Sequence, residues 1–247
     1  DLLFIGTQQR PDLFALDIRR EEPLYAEVVE IDGRIAAHGS EVRPLREQEI
    51  EAAAARVLSR GMDSAAVALM HSHRNPRHEE RAQEILERLG FRHVSRSSRL
   101  SPFIKILPRA ETAVVDAYLA PVVRSYLDRV PQSVPEGRVQ VMTSAGGLGA
   151  IESVRPKDML LSAPGGGVVG APLAGHRSGL AKVIAFDMGG TSTDVARFDG
   201  DYEYTFEHGV GDAHLVAPAL AIESVAAGGG SICWFDGRRL RVGPRSA

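Results

Sequence analysis

The residues in this 247-residue chain best suited to chemistry are Asp187-Met-Gly-Gly-Thr-Ser-Thr-Asp194. Lys182 to Asp187 reads as a buried strand that delivers Asp187 to a loop, and Val195 to Phe198 resumes as another strand. Gly189 and Gly190 allow a tight turn and close approach of a ligand to the backbone. Thr191, Ser192 and Thr193 offer hydroxyls and amides to phosphate oxygens. Asp187 and Asp194 suit Mg²⁺, which takes oxygen ligands and keeps much of its water. One of the two carboxylates can instead orient an attacking water. The strand–loop–strand order is unlike a P-loop, which needs Gly-Lys-[Ser/Thr] and a following helix. A polar β-turn capped by its two aspartates is the competing account of the same residues.

Three more glycine clusters stand near predicted element ends: Gly146-Gly147, Gly165-Gly-Gly167 and Gly228-Gly229-Gly230, the last followed by Ser231. Four such clusters beside hydroxyls and carboxylates point to a polyanion held by backbone N–H groups. Gly228 to Ser231 is expected to turn beside the Asp187 loop and touch the nucleotide or its phosphates. Gly165 to Gly170 also fits G-x-G-x-x-G, with Asp187 near the acidic position of a dinucleotide site. Against that stand a weak preceding strand, 158–162, and Pro164 before the first glycine. The same glycines fit a helix start packed closely on a sheet. His71, His73 and His78 have spacing that lets imidazoles converge on a metal, but no carboxylate or cysteine completes a set. They also read as polar residues at a strand exit and a helix start. Cys233, on an apolar strand, reads as a buried structural thiol. Arg96, Arg99, Lys105 and Arg109 offer positive charge to an acidic substrate, or are simply solvated.

Around these residues the pattern predicts a helix over 45–60, a strand over 65–70, a helix from Asn75-Pro76 to Leu89-Gly90 and a strand over 91–95. This alternation argues for an α/β layer with a mainly parallel sheet. Tyr25 to Ile31 alternates like a strand. A linker over 96–108 precedes a helix over 110–130, in which Pro121 implies a kink or break. Strands are also predicted at 138–143 and 221–226, and hairpins around Asp199-Gly200 and Asp236-Gly237. The division expected is 1–105 and 106–247. Apolar residues at 44%, charged residues at 25% and a net charge of −3 give no reason to expect a nucleic-acid or membrane partner. No apolar run reaches the roughly 18 residues of a membrane span. A single cysteine fits a reducing, cytoplasmic compartment. The chain reads as a fragment of a longer protein.

Phe186 to Val195 and Ala226-Ala-Gly-Gly-Gly-Ser-Ile232, supported by Leu161 to Gly170, Asp116 to Pro121 and Arg241 to Pro244, resemble the hydantoinase A/5-oxoprolinase family over nearly the whole chain. The resemblance implies a partial α/β, actin-like ATPase (ribonuclease H-like) fold that uses ATP and Mg²⁺. It implies that 1–105 is the remainder of a first lobe without its N-terminal phosphate loop. It implies that 106–247 is the nucleotide-binding region, truncated at its C-terminus. Pro102 to Arg109 with Asp116-Ala-Tyr118 looks closest to the 5-oxoprolinase branch, with N-methylhydantoinases and ketone carboxylase subunits as alternatives. Activity would then be ATP-dependent opening of a cyclic amide: phosphorylation of the lactam oxygen raises the carbon's electrophilicity, and water adds. Lys105 and Arg109 are the candidates to meet the substrate's carboxylate. A hydantoinase B-like subunit or fused domain is the implied partner. Ala145 and Ala163 depart from the family pattern, which usually has Asn or Asp at the first and Gly at the second. An actin-like nucleotide-responsive binding module is the reading from another class.

Overall fold

In the computed structural model, described over residues 2–6, 14, 16, 17, 22–134, 137–210 and 213–247, the alternation after residue 45 is realised as a βαβ arrangement. Strand Ser64–Val67 pairs in parallel with His93–Arg96, and helix Arg77–Leu89 joins them. That helix places Ala82, Ile85 and Leu86 on one face at 3.6-residue spacing, and they pack with Ile50 and Ala54 of helix Glu47–Ser59. It ends at Gly90, whose φ of 112° is the left-handed cap that glycine adopts without a Cβ penalty.

The long helix Ile106–Arg129 packs against both parallel strands. Its buried Ala110, Ala113, Ala117 and Ala120 let it approach closely, and Asp116 accepts a 2.7 Å bond from Ser95 Oγ. It begins earlier than expected. Pro108 falls in its first turn, where a missing N–H costs nothing. It continues as one helix through Pro121. The expected strand at Tyr25 to Ile31 forms no ladder; the pairing in this region is the short Arg34–Ile35 with Glu41–Arg43.

The chain forms two compact units, one of 1–137, 155–157 and 207–217 and another of 138–154, 158–206 and 218–247. The long helix belongs to the first, so the compact units do not follow the division at 105/106. In the second unit, helix Ser162–Arg177 lies on a three-stranded antiparallel sheet in the order Glu223–Val225, Thr193–Asp199, Lys182–Met188. Val168, Ala196 and Leu220 form its core, with Ala185 against them. A Cβ on Gly175 would stand 2.4 Å from a Val183 methyl, so glycine sets the helix–strand spacing there.

Lys182–Met188 is not the buried strand expected. Among the described residues it is an edge strand, whose Val183 and Ala185 pack towards the helix while Ile184, Phe186 and Met188 are 71%, 64% and 57% exposed. The Asp199-Gly200 hairpin shrinks to a single Phe198–Tyr202 bridge; Thr193–Asp199 pairs along one edge with Lys182–Met188 and, over Thr193 to Val195, with Glu223–Val225. Strand Tyr204–Val210 pairs instead with Ala213–Leu220. The Asp236-Gly237 hairpin forms as expected, joining Ser231–Phe235 to Leu240–Ser246. Cys233 on it is exposed, a correction to the buried thiol. The strand weighed over 158–162 does not form; a 3₁₀ turn, Pro156–Met159, stands before the Gly165 to Gly170 run, which removes the dinucleotide-fold reading. Among the described residues no helix is long and apolar enough to cross a membrane.

Candidate functional site

The Asp187 to Asp194 stretch is a β-hairpin. Asp187 pairs across the ladder with Asp194, and Met188 with Thr193. Directly opposed residues of an antiparallel pair share a face with Cβ atoms about 5 Å apart. The two carboxylates therefore stand side by side, on the sheet face that the helix Ser162–Arg177 covers. Ser224 lies opposite Asp194 on the other neighbouring strand, and its hydroxyl donates to Asp194 Oδ1. Asp187, Asp194 and Ser224 thus form one row across three strands. A Cβ on Gly167 would stand 4.0 Å from Asp187 Oδ2, so the glycine-rich first half of the helix reaches the same row.

The tip of the hairpin is closed by the Gly189 N–H donating to the Ser192 carbonyl at 2.9 Å. The second glycine cluster clamps it from the side. Gly229 N–H donates to Gly189 O at 2.9 Å and Gly230 N–H to Gly190 O at 2.7 Å. Gly228 N–H donates to Ser231 Oγ at 2.8 Å. This contact needs glycine: a Cβ on Gly228 would be 2.5 Å from Gly189 O, and one on Gly230 would be 3.1 Å from Gly190 O. Thr193 is buried, and its hydroxyl donates to Ala227 O at 2.6 Å. Its side chain therefore pins the two loops together and does not face a ligand, a correction to its assignment among the phosphate-facing hydroxyls.

What the clamp leaves uncommitted is specific. Among the described residues, the amides of Gly190, Thr191 and Ser192 donate to no protein acceptor, and the hydroxyls of Thr191 and Ser192 have no protein partner. The Gly228, Gly229 and Gly230 amides are all engaged, so that cluster supports the first loop and offers no free amide of its own. Two neighbouring carboxylates and, among the described residues, no third acidic or imidazole ligand match the habit of Mg²⁺, which takes one or two carboxylates and completes its shell with water and phosphate oxygens.

Lys105 and Arg109 lie in the first unit. Lys105 is exposed at the start of the long helix. Arg109 is wholly buried: its guanidinium donates to Leu69 O at 2.9 Å, to the hydroxyls of Ser72 and Ser97, and to Glu79 at 3.3 Å. Glu79, equally buried, also accepts from Leu69 N–H, Ser72 Oγ, Ser97 Oγ and Ser98 N–H. Arg109 is thus the counter-ion of a core carboxylate, not an open cation for substrate; its place on the inward face of the long helix decides this. Arg96 pairs with Glu80 at 3.1 Å, and His78 Nε2 with Glu41 at 2.9 Å. Ser224 went unnoticed in the sequence, where Glu223-Ser-Val225 reads only as strand; its register opposite Asp194 exists only in the folded sheet.

The fold is similar to those of two solved enzymes. Nucleotide-free acetone carboxylase, described as carrying out ATP-dependent acetone carboxylation, matches 87% of the chain and 32% of its own with a TM-score of 0.74 at 29% identity. The ATP-dependent caprolactamase from Pseudomonas jessenii matches 94% of the chain and 36% of its own with a TM-score of 0.73 at 29% identity. The chain belongs to the hydantoinase/oxoprolinase family, whose profile covers residues 109–247 and whose N-terminal-region profile covers 1–90. It is 40% identical to 5-oxoprolinase 1 of Arabidopsis thaliana and 37% identical to 5-oxoprolinase of Saccharomyces cerevisiae, each over all of this chain. It spans 21% and 22% of those two relatives, about a fifth of their length.

Proposed function

We propose that this chain is the nucleotide-handling part of an ATP-dependent cyclic amide hydrolase whose substrate is 5-oxoproline. The observation that carries the reading is the hairpin tip. Three uncommitted amides and two hydroxyls sit beside two facing carboxylates, on a loop held in shape by a second glycine loop. Such a loop is preorganised for phosphate oxygens, which need N–H donors in fixed positions. Mg²⁺, held by Asp187 and Asp194, would supply positive charge to the phosphates.

Amide resonance makes a lactam a poor electrophile, and ATP supplies the missing driving force. The lactam oxygen attacks the γ-phosphorus and ADP leaves. Water then adds to the activated carbon, the ring C–N bond breaks with nitrogen taking a proton, and an acyl phosphate remains. A second water releases phosphate and leaves glutamate. The role of this chain's residues is to hold the phosphates at Gly190 to Ser192 and to keep Asp187 and Asp194 in register. Of the two cations considered for the substrate carboxylate, Lys105 is the exposed one. Family membership, the 5-oxoprolinase relatives and caprolactamase support the amide chemistry. A relative named caprolactamase subunit alpha, 34% identical over 88% of this chain, supports a second subunit or fused domain as partner. A cytoplasmic location is part of the same proposal.

The test is incubation of the full-length protein and its partner with ATP, Mg²⁺ and 5-oxoproline, measuring glutamate and ADP together. Equimolar release supports the reading. The likeness to acetone carboxylase favours one alternative, and ketone carboxylation in place of glutamate release would install it. Hydantoin opening alone would move the protein to the N-methylhydantoinases. No ATP consumption with any of these would leave a nucleotide-responsive binding module.

A further inference from the structure

Asp187 and Asp194 share one row of the sheet, yet their surroundings differ. Asp194 Oδ1 accepts a hydrogen bond from the Ser224 hydroxyl, and its other oxygen is uncommitted. Among the described residues the Asp187 carboxylate accepts no hydrogen bond, and neither carboxylate has an ion-pair partner. On the helix side Gly167 faces Asp187 without a side chain to fill the space. Ser224 reaches Asp194 through register alone: Glu223 stands opposite Val195, Ser224 opposite Asp194 and Val225 opposite Thr193. A slip of one residue would turn the serine to the other face of the sheet. The Thr193 hydroxyl, bonded to Ala227 O, pins the same two segments just beyond this row.

The sheet does not need a serine here. Ser224 is exposed, and its hydroxyl makes no other hydrogen bond among the described residues. Water can replace that bond in an exposed place, so it adds little to stability. What it does is choose an orientation. An aspartate carboxylate turns about a broad two-fold torsion, and a free one offers either oxygen in many directions. Mg²⁺ demands near-octahedral geometry from the one or two carboxylates it takes. Donation to Oδ1 sets the carboxylate before the ion arrives and leaves Oδ2 for it, as partners of ligating carboxylates do in metal sites. We propose that Ser224 is a positioning residue of the cation site: it holds Asp194 as the preoriented ligand, while the untethered Asp187 adjusts to the ion and its water. This rests on the reading of Asp187 and Asp194 as the cation's carboxylates.

The experiment uses the full-length protein and measures binding of Mn²⁺, which suits the same oxygen ligands as Mg²⁺, by electron paramagnetic resonance in the presence of ADP. Ser224→Ala is expected to weaken Mn²⁺ binding about 10-fold, and Ser224→Thr, which keeps the hydroxyl, to stay within about 2-fold of the unaltered protein. Melting temperature and metal-free ADP binding should be unchanged in both, because the side chain is exposed. Unchanged Mn²⁺ binding in Ser224→Ala would overturn the proposal. So would equal weakening in the alanine and threonine variants, or a parallel loss of melting temperature or of metal-free ADP binding. Asp194→Asn separates this proposal from the reading beneath it. Lost Mn²⁺ binding there, with normal binding in Ser224→Ala, removes only the role of Ser224. Normal Mn²⁺ binding in Asp194→Asn, or none in the unaltered protein, removes the cation site and this proposal with it.

Discussion

Asp187 and Asp194 are placed by backbone pairing, not by bonds to each other, so a substitution there changes charge and leaves the ladder. Asp187→Asn in the full-length enzyme is expected to cut Mg²⁺·ATP use by about 100-fold or more, the scale seen when a preorganised electrostatic group is lost. Stability should move by no more than about 0.5 kcal/mol, since the side chain is exposed. Normal ATP turnover in that variant would remove the assignment. The clamp makes a sharper test, because neighbouring glycines differ. A Cβ on Gly228 would meet Gly189 O at 2.5 Å, whereas one on Gly229 would meet it at 3.7 Å. Gly228→Ala should therefore displace the hairpin tip at a cost of about 1–3 kcal/mol, while Gly229→Ala is tolerated. Paired denaturation and nucleotide-binding measurements on the two variants check this; equal behaviour would mean that the clamp does not hold the tip.

At the scale of elements, the long helix is anchored by an ion pair in its core-facing side. Arg109→Met leaves Glu79 buried without its cation and should destabilise by about 3–5 kcal/mol, whereas Lys105→Ala on the exposed helix start should change stability by less than about 0.5 kcal/mol. Denaturant titration of both variants decides between this structural role and an open substrate cation, for which Arg109 would lower activity without lowering stability. The loop after Ser64–Val67 also carries a pH dependence. Burial, reinforced by the Arg109 guanidinium, pushes His73 below its ordinary value of 6.5, and burial pushes His93 the same way. The folded chain therefore refuses a proton that the unfolded chain accepts. Stability is unaffected by these groups above pH 6.5 and declines as pH falls below it, towards their folded values. The melting temperature is expected to drop below pH 6.5 and to drop less in His73→Gln; an identical pH profile in that variant would refute the assignment.

At the scale of the molecule, the chain that carries the hairpin proposed to hold phosphate spans about a fifth of its 5-oxoprolinase relatives. Enclosure of ligand is what excludes water from an activated intermediate. ATP-coupled opening of 5-oxoproline is therefore expected from the full-length protein and not from these 247 residues alone. A coupled ADP assay on the isolated chain checks this, and clear turnover would show that one clamped loop suffices.

Much of this was legible in the residues themselves. The helices at Glu47–Ser59 and Arg77–Leu89 followed from an alanine-rich run stopped at Gly61 and from a span opened by Asn75-Pro76 and closed at Gly90, and the Asp187 hairpin tip followed from Gly189-Gly190 between strand-like runs. These features depend on local backbone preference, which a sequence states directly. What needed the tertiary structure depended on partners distant in the chain. The sequence could not say that Ser224 would stand opposite Asp194, or that Gly228 to Gly230 would spend their amides on the first loop and its own serine. Nor could it say that Thr193 would turn inward to Ala227. It misplaced Arg109 and the Lys182–Met188 strand for one reason. A cation looks open and an apolar run looks buried until the face each presents is known, and helix packing and sheet order decide that face.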